Sequence, residues 1–336
     1  MYFLYMFLSV LSIVILLLPG FFLKKTKTLS ENAAKDLSAV LLFVGTPALA
    51  VYCMMGVDIQ SVAPLNILIC VLLAIAIHFI PYAFMKLFLL KADDKSAAVA
   101  ATFGSMFSNC GFMGIPMATL AIAYCEKLAL ITEAATKEAL FYVTIFNIVF
   151  NIITWTFGLG MYSRGEKLGY IMKKAFLSPV IIATLLSIPF FIAGFSLLNP
   201  IVIGQVEISQ IGSIIMYLYN ICVPISMIVL GIRLSDVTIG ELVCNKYVYI
   251  CGAAKLVITP LITIGIMWII MQFMELSPAL MIALTVMSAA PPAANGLAFA
   301  ETYNGDTKTA GASVLLCTII SILTLPLFLV LVSAMI

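Results

Sequence analysis

Phe107-Ser108-Asn109-Cys110-Gly111-Phe112-Met113-Gly114-Ile115-Pro116 lies in the middle of a run without charges that extends from Ser96 to Cys125. An uninterrupted helix does not need such a stretch. Pro116 lacks an N–H and its ring clashes with the preceding turn, Gly111 and Gly114 weaken the helix around it, and Asn109 brings an amide to membrane depth. Backbone groups freed there need partners that lipid does not offer, so the interruption is expected to be buried in protein or to line a wet cavity. The stretch predicts a broken membrane helix and half of a binding site, carried by Asn109, Gly111 and Pro116.

The 336 residues are 64% hydrophobic and only 10% charged, where a soluble domain carries roughly a quarter. That deficit argues against a globular enzyme with a solvated surface. The eight cysteines fall almost all in apolar spans without a Cys-x-x-Cys pair, so they read as small packing residues. Met1 to Leu23 has no basic start and is followed by Lys24, Lys25 and Lys27, an order expected of a retained helix with its N-terminus outside.

Ten apolar segments can be counted, at about 1–23, 34–57, 63–90, 96–124, 138–162, 175–198, 207–232, 246–274, 277–303 and 307–336. Each is long enough for a hydrocarbon core that needs about 20 helical residues. Lys and Arg crowd the odd-numbered connections (Lys86, Lys91, Lys95, Arg164, Lys167, Arg233 and Lys308 among them), while the even ones hold only Lys127 and Lys137. The positive-inside rule makes the odd connections cytoplasmic and both termini extracytoplasmic, in the cytoplasmic (inner) membrane. Prolines recur at near-equal intervals, at 47, 81 and 116 in the first half and at 224, 260 and 292 in the second. Asn109 leading to Pro116 is matched by Pro291, Pro292 and Asn295. The fold class is therefore an all-α polytopic membrane protein of ten transmembrane helices in two inverted five-helix repeats, approximately 1–163 and 170–336, with helices four and nine broken.

At these residues the chain resembles the auxin efflux carrier family, which includes the plant PIN exporters and permeases proposed to carry malate and similar acids. Asn109-Cys110-Gly111-Phe112-Met113-Gly114-Ile115-Pro116 is similar to the family's Asn-x-Gly-Phe-x-Gly-x-Pro, with Thr46-Pro47-Ala48 and Ala290-Pro291-Pro292-Ala293-Ala294-Asn295 in support. The resemblance implies scaffold helices in 1–57 and 175–234, with Thr46 and Pro47 on their face, and a mobile transport domain in 63–162 and 246–336. It also implies that broken helices four and nine cross, that Asn109 and Asn295 face an organic anion there, and that a homodimer forms through the scaffold. The long central loop of the plant members is missing, and the double proline leaves open which of Pro291 and Pro292 is the crossing one.

Half-helices ending at one point aim free N–H groups and positive dipole ends at it, a ready site for a carboxylate. Asn109 and Asn295 add amide donors; the alternative is that they only cap the broken helices. Lys255, about eight residues inside its span, has no route to the surface and is a candidate for charge compensation or ion coupling, or else for bonding freed carbonyls. His78, the only histidine, is a candidate proton carrier, set against a neutral ring satisfied by a hydroxyl. Asn147 and Asn151 share a helical face and either hold a cation or water chain or bond between helices.

No zinc motif, nucleotide loop or second intramembrane aspartate accompanies these residues, so no enzyme, cofactor or bound metal is expected. The sequence reads as a secondary transporter of a small organic anion, a carboxylate, by an elevator mechanism, with H+ or Na+ as candidate coupling ion. A sodium/proton antiporter is the nearest alternative, disfavoured because no Asp or Glu occurs between Ser96 and Cys125 or between Leu276 and Ala300. A non-transporting receptor for a small ligand is another. Nucleic acid is not a partner; the lipid bilayer is.

Overall fold

The computed structural model describes residues 2–55, 62–127, 131–163, 169, 173, 176–177, 179–203, 206–235 and 244–336. Its helices follow the apolar runs: α1 (Tyr2–Ile15), α2 (Leu17–Lys25), α3 (Ala33–Val40), α4 (Thr46–Met55), α5 (Pro64–Phe88), α6 (Lys95–Met106), α7 (Ile115–Lys127), α8 (Glu133–Ile153) and α9 (Leu159–Tyr162). The second half contributes α10 (Pro179–Ile192), α11 (Gln210–Asn220), α12 (Cys222–Leu234), α13 (Lys246–Ala253), α14 (Thr259–Met271), α15 (Pro278–Ala289), α16 (Asn295–Thr302) and α17 (Thr307–Ser333). Among the described residues, six stretches are long and apolar enough to cross a membrane: Ala33–Tyr52, Pro64–Phe88, Glu133–Tyr162, Gln210–Leu234, Lys246–Met271 and Thr307–Ser333. Ile181–Ile192 and Pro278–Ala289 are shorter apolar helices. The first, fourth, seventh and ninth expected segments are divided, at Leu16, at Phe107 to Asn109, at Ile221 and at Ala290 to Ala294.

The fold is all-helical, as expected, with one small exception among the described residues. Ile201–Ile203 (β1) and Val206–Ile208 (β2) pair as a small antiparallel hairpin with Val202 opposite Glu207, and helix begins only at Gln210. Short runs of Ile and Val suit a strand better than a helix start.

Among the described residues, four π-helical turns widen the helices, at Leu41–Gly45, Cys110–Gly114, Thr154–Gly158 and Ala254–Ile258. Three of them end two residues before a proline: Pro47, Pro116 and Pro260. The cause is local, since a proline ring collides with the carbonyl four residues back and one extra residue in the turn carries that carbonyl aside. Threonine hydroxyls satisfy freed carbonyls, Thr46 Oγ1 donating to Leu42 O at 3.2 Å and Thr259 Oγ1 to Ala254 O at 2.7 Å. Pro81, by contrast, lies within an unbroken α5.

The buried core centres on α15, whose residues Ala279 to Ala289 are all buried, as a helix apolar on every side must be. It packs against α8, α17, α14 and α7. At twelve residues, α15 and α6 are each about 18 Å long, too short to cross a bilayer alone. α6, α13 and α17 start together: Asp94, Asn245 and Asp306 accept from backbone N–H groups of their own first turns. Asn245 Nδ2 donates to Thr309 Oγ1 at 2.7 Å, and Lys246 pairs with Asp93 at 2.7 Å, holding that exposed carboxyl below its usual range.

α2 and α12 meet through glycines. A Cβ on Gly20 would lie 2.1 Å from Ile228 O, and one on Gly231 2.0 Å from Leu17 O. Backbone cannot yield as a flexible side chain does, so the two helices approach this closely only because both positions are bare. Gly231→Leu is expected to destabilise the fold by about 1–3 kcal/mol or more through overpacking. A melting temperature equal to that of the unsubstituted protein would show that the contact does not hold the helices together.

Candidate functional site

Phe107 and Ala290 leave helical geometry in the same way, both extended, at the ends of α6 and α15. The two unwound segments then pair antiparallel, Ser108 opposite Pro292. Asn109 N donates to Pro291 O at 2.7 Å and Ala293 N donates to Phe107 O at 2.8 Å. The prolines have no N–H to give, so the donors are Ala293, which follows them, and Asn109 on the opposite segment. Both Pro291 and Pro292 lie in the crossing, one accepting through its carbonyl and the other opposite Ser108. Asn109 O closes the next turn by accepting from Met113 N and Gly114 N at 3.0 and 2.7 Å. Gly111 lies within that π turn, and Pro116 is the second residue of α7.

The polar side chains at this crossing are Ser108, Asn109 and Lys255, which are 0%, 2% and 0% exposed. Lys255 Nζ donates to Ser108 Oγ at 2.5 Å. The lysine sits in the π turn between α13 and α14, and widening of that turn accompanies its placement at the crossing. No acidic side chain pairs with it among the described residues. Asn109 Nδ2 is buried and has no hydrogen-bond partner. Gly104 allows α6 to lie against Cys251 Sγ and Pro292, since a Cβ there would be 2.9 and 3.6 Å from them. The crossing thus presents donors, one of them cationic and one unsatisfied, without a carboxylate.

The other expected residues are placed differently. Asn295 is the first residue of α16, half-buried, beyond the paired segment. His78 lies against the crossing through Phe107, with ring centroids 5.6 Å apart, and is enclosed further by Phe146 and Phe150. The expected hydroxyl partner is corrected: its Nδ1 meets Ala74 O at 2.6 Å, one turn back on its own helix, and Nε2 is unpartnered. A carbonyl only accepts, so Nδ1 carries the proton. Asn151 Nδ2 donates to Asn147 O at 2.7 Å, so this bond runs along α8 rather than between helices, because a four-residue spacing brings amide and carbonyl together. Thr46 is buried and Pro47 half-buried at the start of α4, next to the turn whose Gly45 packs on Cys222 Sγ of α12. Ser108 had no role in the sequence reading. The available signal was a mid-span lysine in need of a partner and a hydroxyl next to Asn109.

A family of membrane transport proteins matches residues 5–329. The chain belongs to that family. The resemblance to the auxin efflux carriers therefore holds over nearly the whole length, and the protein is a multi-pass membrane transporter. It is also 27% identical over 323 residues to an uncharacterized transporter of Methanothermobacter thermautotrophicus, covering 95% of this chain and 96% of that one. In the transporter, the paired segments after α6 and α15 thus interrupt two buried apolar stretches of the chain. Interruptions of this kind supply substrate sites in transporters.

Proposed function

We propose that the transporter is a secondary carrier of a small organic anion, a carboxylate, moved across the cytoplasmic membrane by an elevator-type shift. In this reading α5–α9 and α13–α17 carry the site, α1–α4 and α10–α12 form the scaffold, and the two halves are inverted repeats. The observation that carries it is Lys255 bonded to Ser108 beside the unpartnered Nδ2 of Asn109, all buried at the crossing. A buried ammonium without a counter-ion costs several kcal/mol, and an unsatisfied amide donor adds about 1–3. A carboxylate entering the crossing satisfies both. Half-helix ends directed at the same point strengthen the preference for an anion. An antiporter for cations would want a carboxylate where this chain has prolines, alanines and an asparagine.

The test is thermal stabilisation of the purified protein by malate, succinate, glutamate and indole-3-acetate, with and without sodium and at two pH values, followed by uptake into proteoliposomes. A ligand that binds only the folded state raises the melting temperature as its concentration passes its Kd. One carboxylate is expected to stabilise and to be taken up, with the sodium or pH dependence naming the coupling ion. Stabilisation by sodium alone, with every carboxylate inactive, would replace this reading with the cation antiporter. Binding without uptake would leave a receptor.

A further inference from the structure

Arg233 stands in the last turn of α12, where the sequence reading used it only to orient the chain. Its Nε is buried and has no hydrogen-bond partner. Leu230 and Arg233 of α12 face Ala294, Leu297 and Gly311 across a cavity of about 10 Å³. That is room for about one water molecule. Side chains of leucine, alanine and glycine offer this Nε no acceptor, the residue as a whole is half-buried, and a guanidinium cannot shed its proton.

The cavity adjoins the crossing. Ala294 follows Ala293, whose N–H is bonded to Phe107 O, and α12 also packs on the turn Cys110–Gly114 that begins beside Asn109. Two cations therefore flank the crossing from different elements, Lys255 from the turn between α13 and α14 and Arg233 from α12.

We propose that Arg233 is the scaffold's own contact for the transported anion, accepting a carboxylate onto its guanidinium fork when α16 and α17 move away from α12. This rests on the organic-anion reading above. Guanidinium binds carboxylate through paired N–H groups, and Nε is one of the donors such a fork uses. At its present volume the cavity excludes a carboxylate, so the contact belongs to a second state in which the two halves have shifted. The substrate then touches Lys255 and Asn109 on the moving side and Arg233 on the fixed side, and release follows when one set lets go.

Uptake of radiolabelled malate, succinate and indole-3-acetate into proteoliposomes tests this with Arg233→Gln and Arg233→Lys, in vesicles of phosphatidylcholine alone and with phosphatidylglycerol added. Arg233→Gln is expected to raise KM roughly tenfold or more in both vesicles, the loss of a hydrogen bond to a charged group, with Arg233→Lys recovering part of it. An unchanged KM overturns the proposal, and so does a loss confined to the anionic vesicles, which would assign the guanidinium to lipid phosphate. Phenylglyoxal labelling of Arg233 in the unsubstituted protein, read by peptide mass spectrometry, needs no variant: the transported carboxylate is expected to slow it, and an unslowed rate overturns the proposal. If the unsubstituted protein takes up no carboxylate, the organic-anion reading itself has failed, an outcome visible before any variant is compared.

Discussion

Lys255→Met should weaken carboxylate binding by roughly 30-fold or more while leaving the melting temperature of the ligand-free protein unchanged or higher. The two halves of that result have different causes. Lys255 is fully buried, its one hydrogen bond goes to Ser108 Oγ, and no acidic group pairs with it among the described residues. Keeping that ammonium out of water costs several kcal/mol, which an apolar side chain of similar length removes. Ligand binding moves the other way, because the anion loses the cation that draws it into the crossing. Removing one partner of a buried, hydrogen-bonded charge pair costs about 2–5 kcal/mol, roughly a 30- to 4,000-fold rise in Kd. Calorimetric titration with the carboxylate found in the thermal screen, beside a melting curve of the free protein, reads both. Unchanged affinity would leave the lysine a purely structural role, and a large fall in melting temperature would mean that its bond to Ser108 holds the crossing together.

Asn109→Ala is the second large effect, and it separates ligand binding from folding in the same way. The structural bonds of this residue are made by its backbone, N to Pro291 O and O to Met113 N and Gly114 N, so they survive truncation of the side chain. Its Nδ2 is buried without a partner, and deleting an unsatisfied donor relieves a desolvation penalty. Stability should therefore hold or rise slightly. A donor lost from a charged acceptor is worth about 1.5–3 kcal/mol, so carboxylate affinity should fall roughly 10- to 140-fold. Asn109→Asp is the sharper companion, since a carboxylate in the crossing repels the anion and should depress binding further than alanine does. Equal affinity in all three proteins would remove Asn109 from the site.

Both variants preserve the paired backbone of the crossing, and this distinguishes them from changes in the glycines that let helices approach. Gly104 and Gly114 lie against Cys251, Pro292 and Met287, so larger residues there would shift the crossing itself and lose binding for reasons of packing. Ser108→Ala falls between the two kinds. It removes the acceptor from Lys255 without touching the Ser108 to Pro292 pairing.

What could be read from the chain alone was whatever depends on near neighbours in sequence. Apolar run length and scarcity of charge determined a multi-pass membrane protein. Asn109, Gly111, Gly114 and Pro116 determined that a helix is interrupted there, because proline and glycine act on the turn they occupy. Pro291 and Pro292 did the same for the ninth segment, and Lys255 announced a buried charge by its depth in a span. The tertiary structure decided everything that requires a partner. Ser108 answers Lys255 across 147 residues, and Asn109 and Phe107 bond to Pro291 and Ala293, pairings that no periodicity encodes. It gave His78 a carbonyl in place of a hydroxyl, turned Asn151 back onto Asn147, and set Arg233 beside the crossing. Hydropathy and backbone preference are properties of a residue and its turn, whereas the partner of a buried polar group is fixed only when distant helices pack.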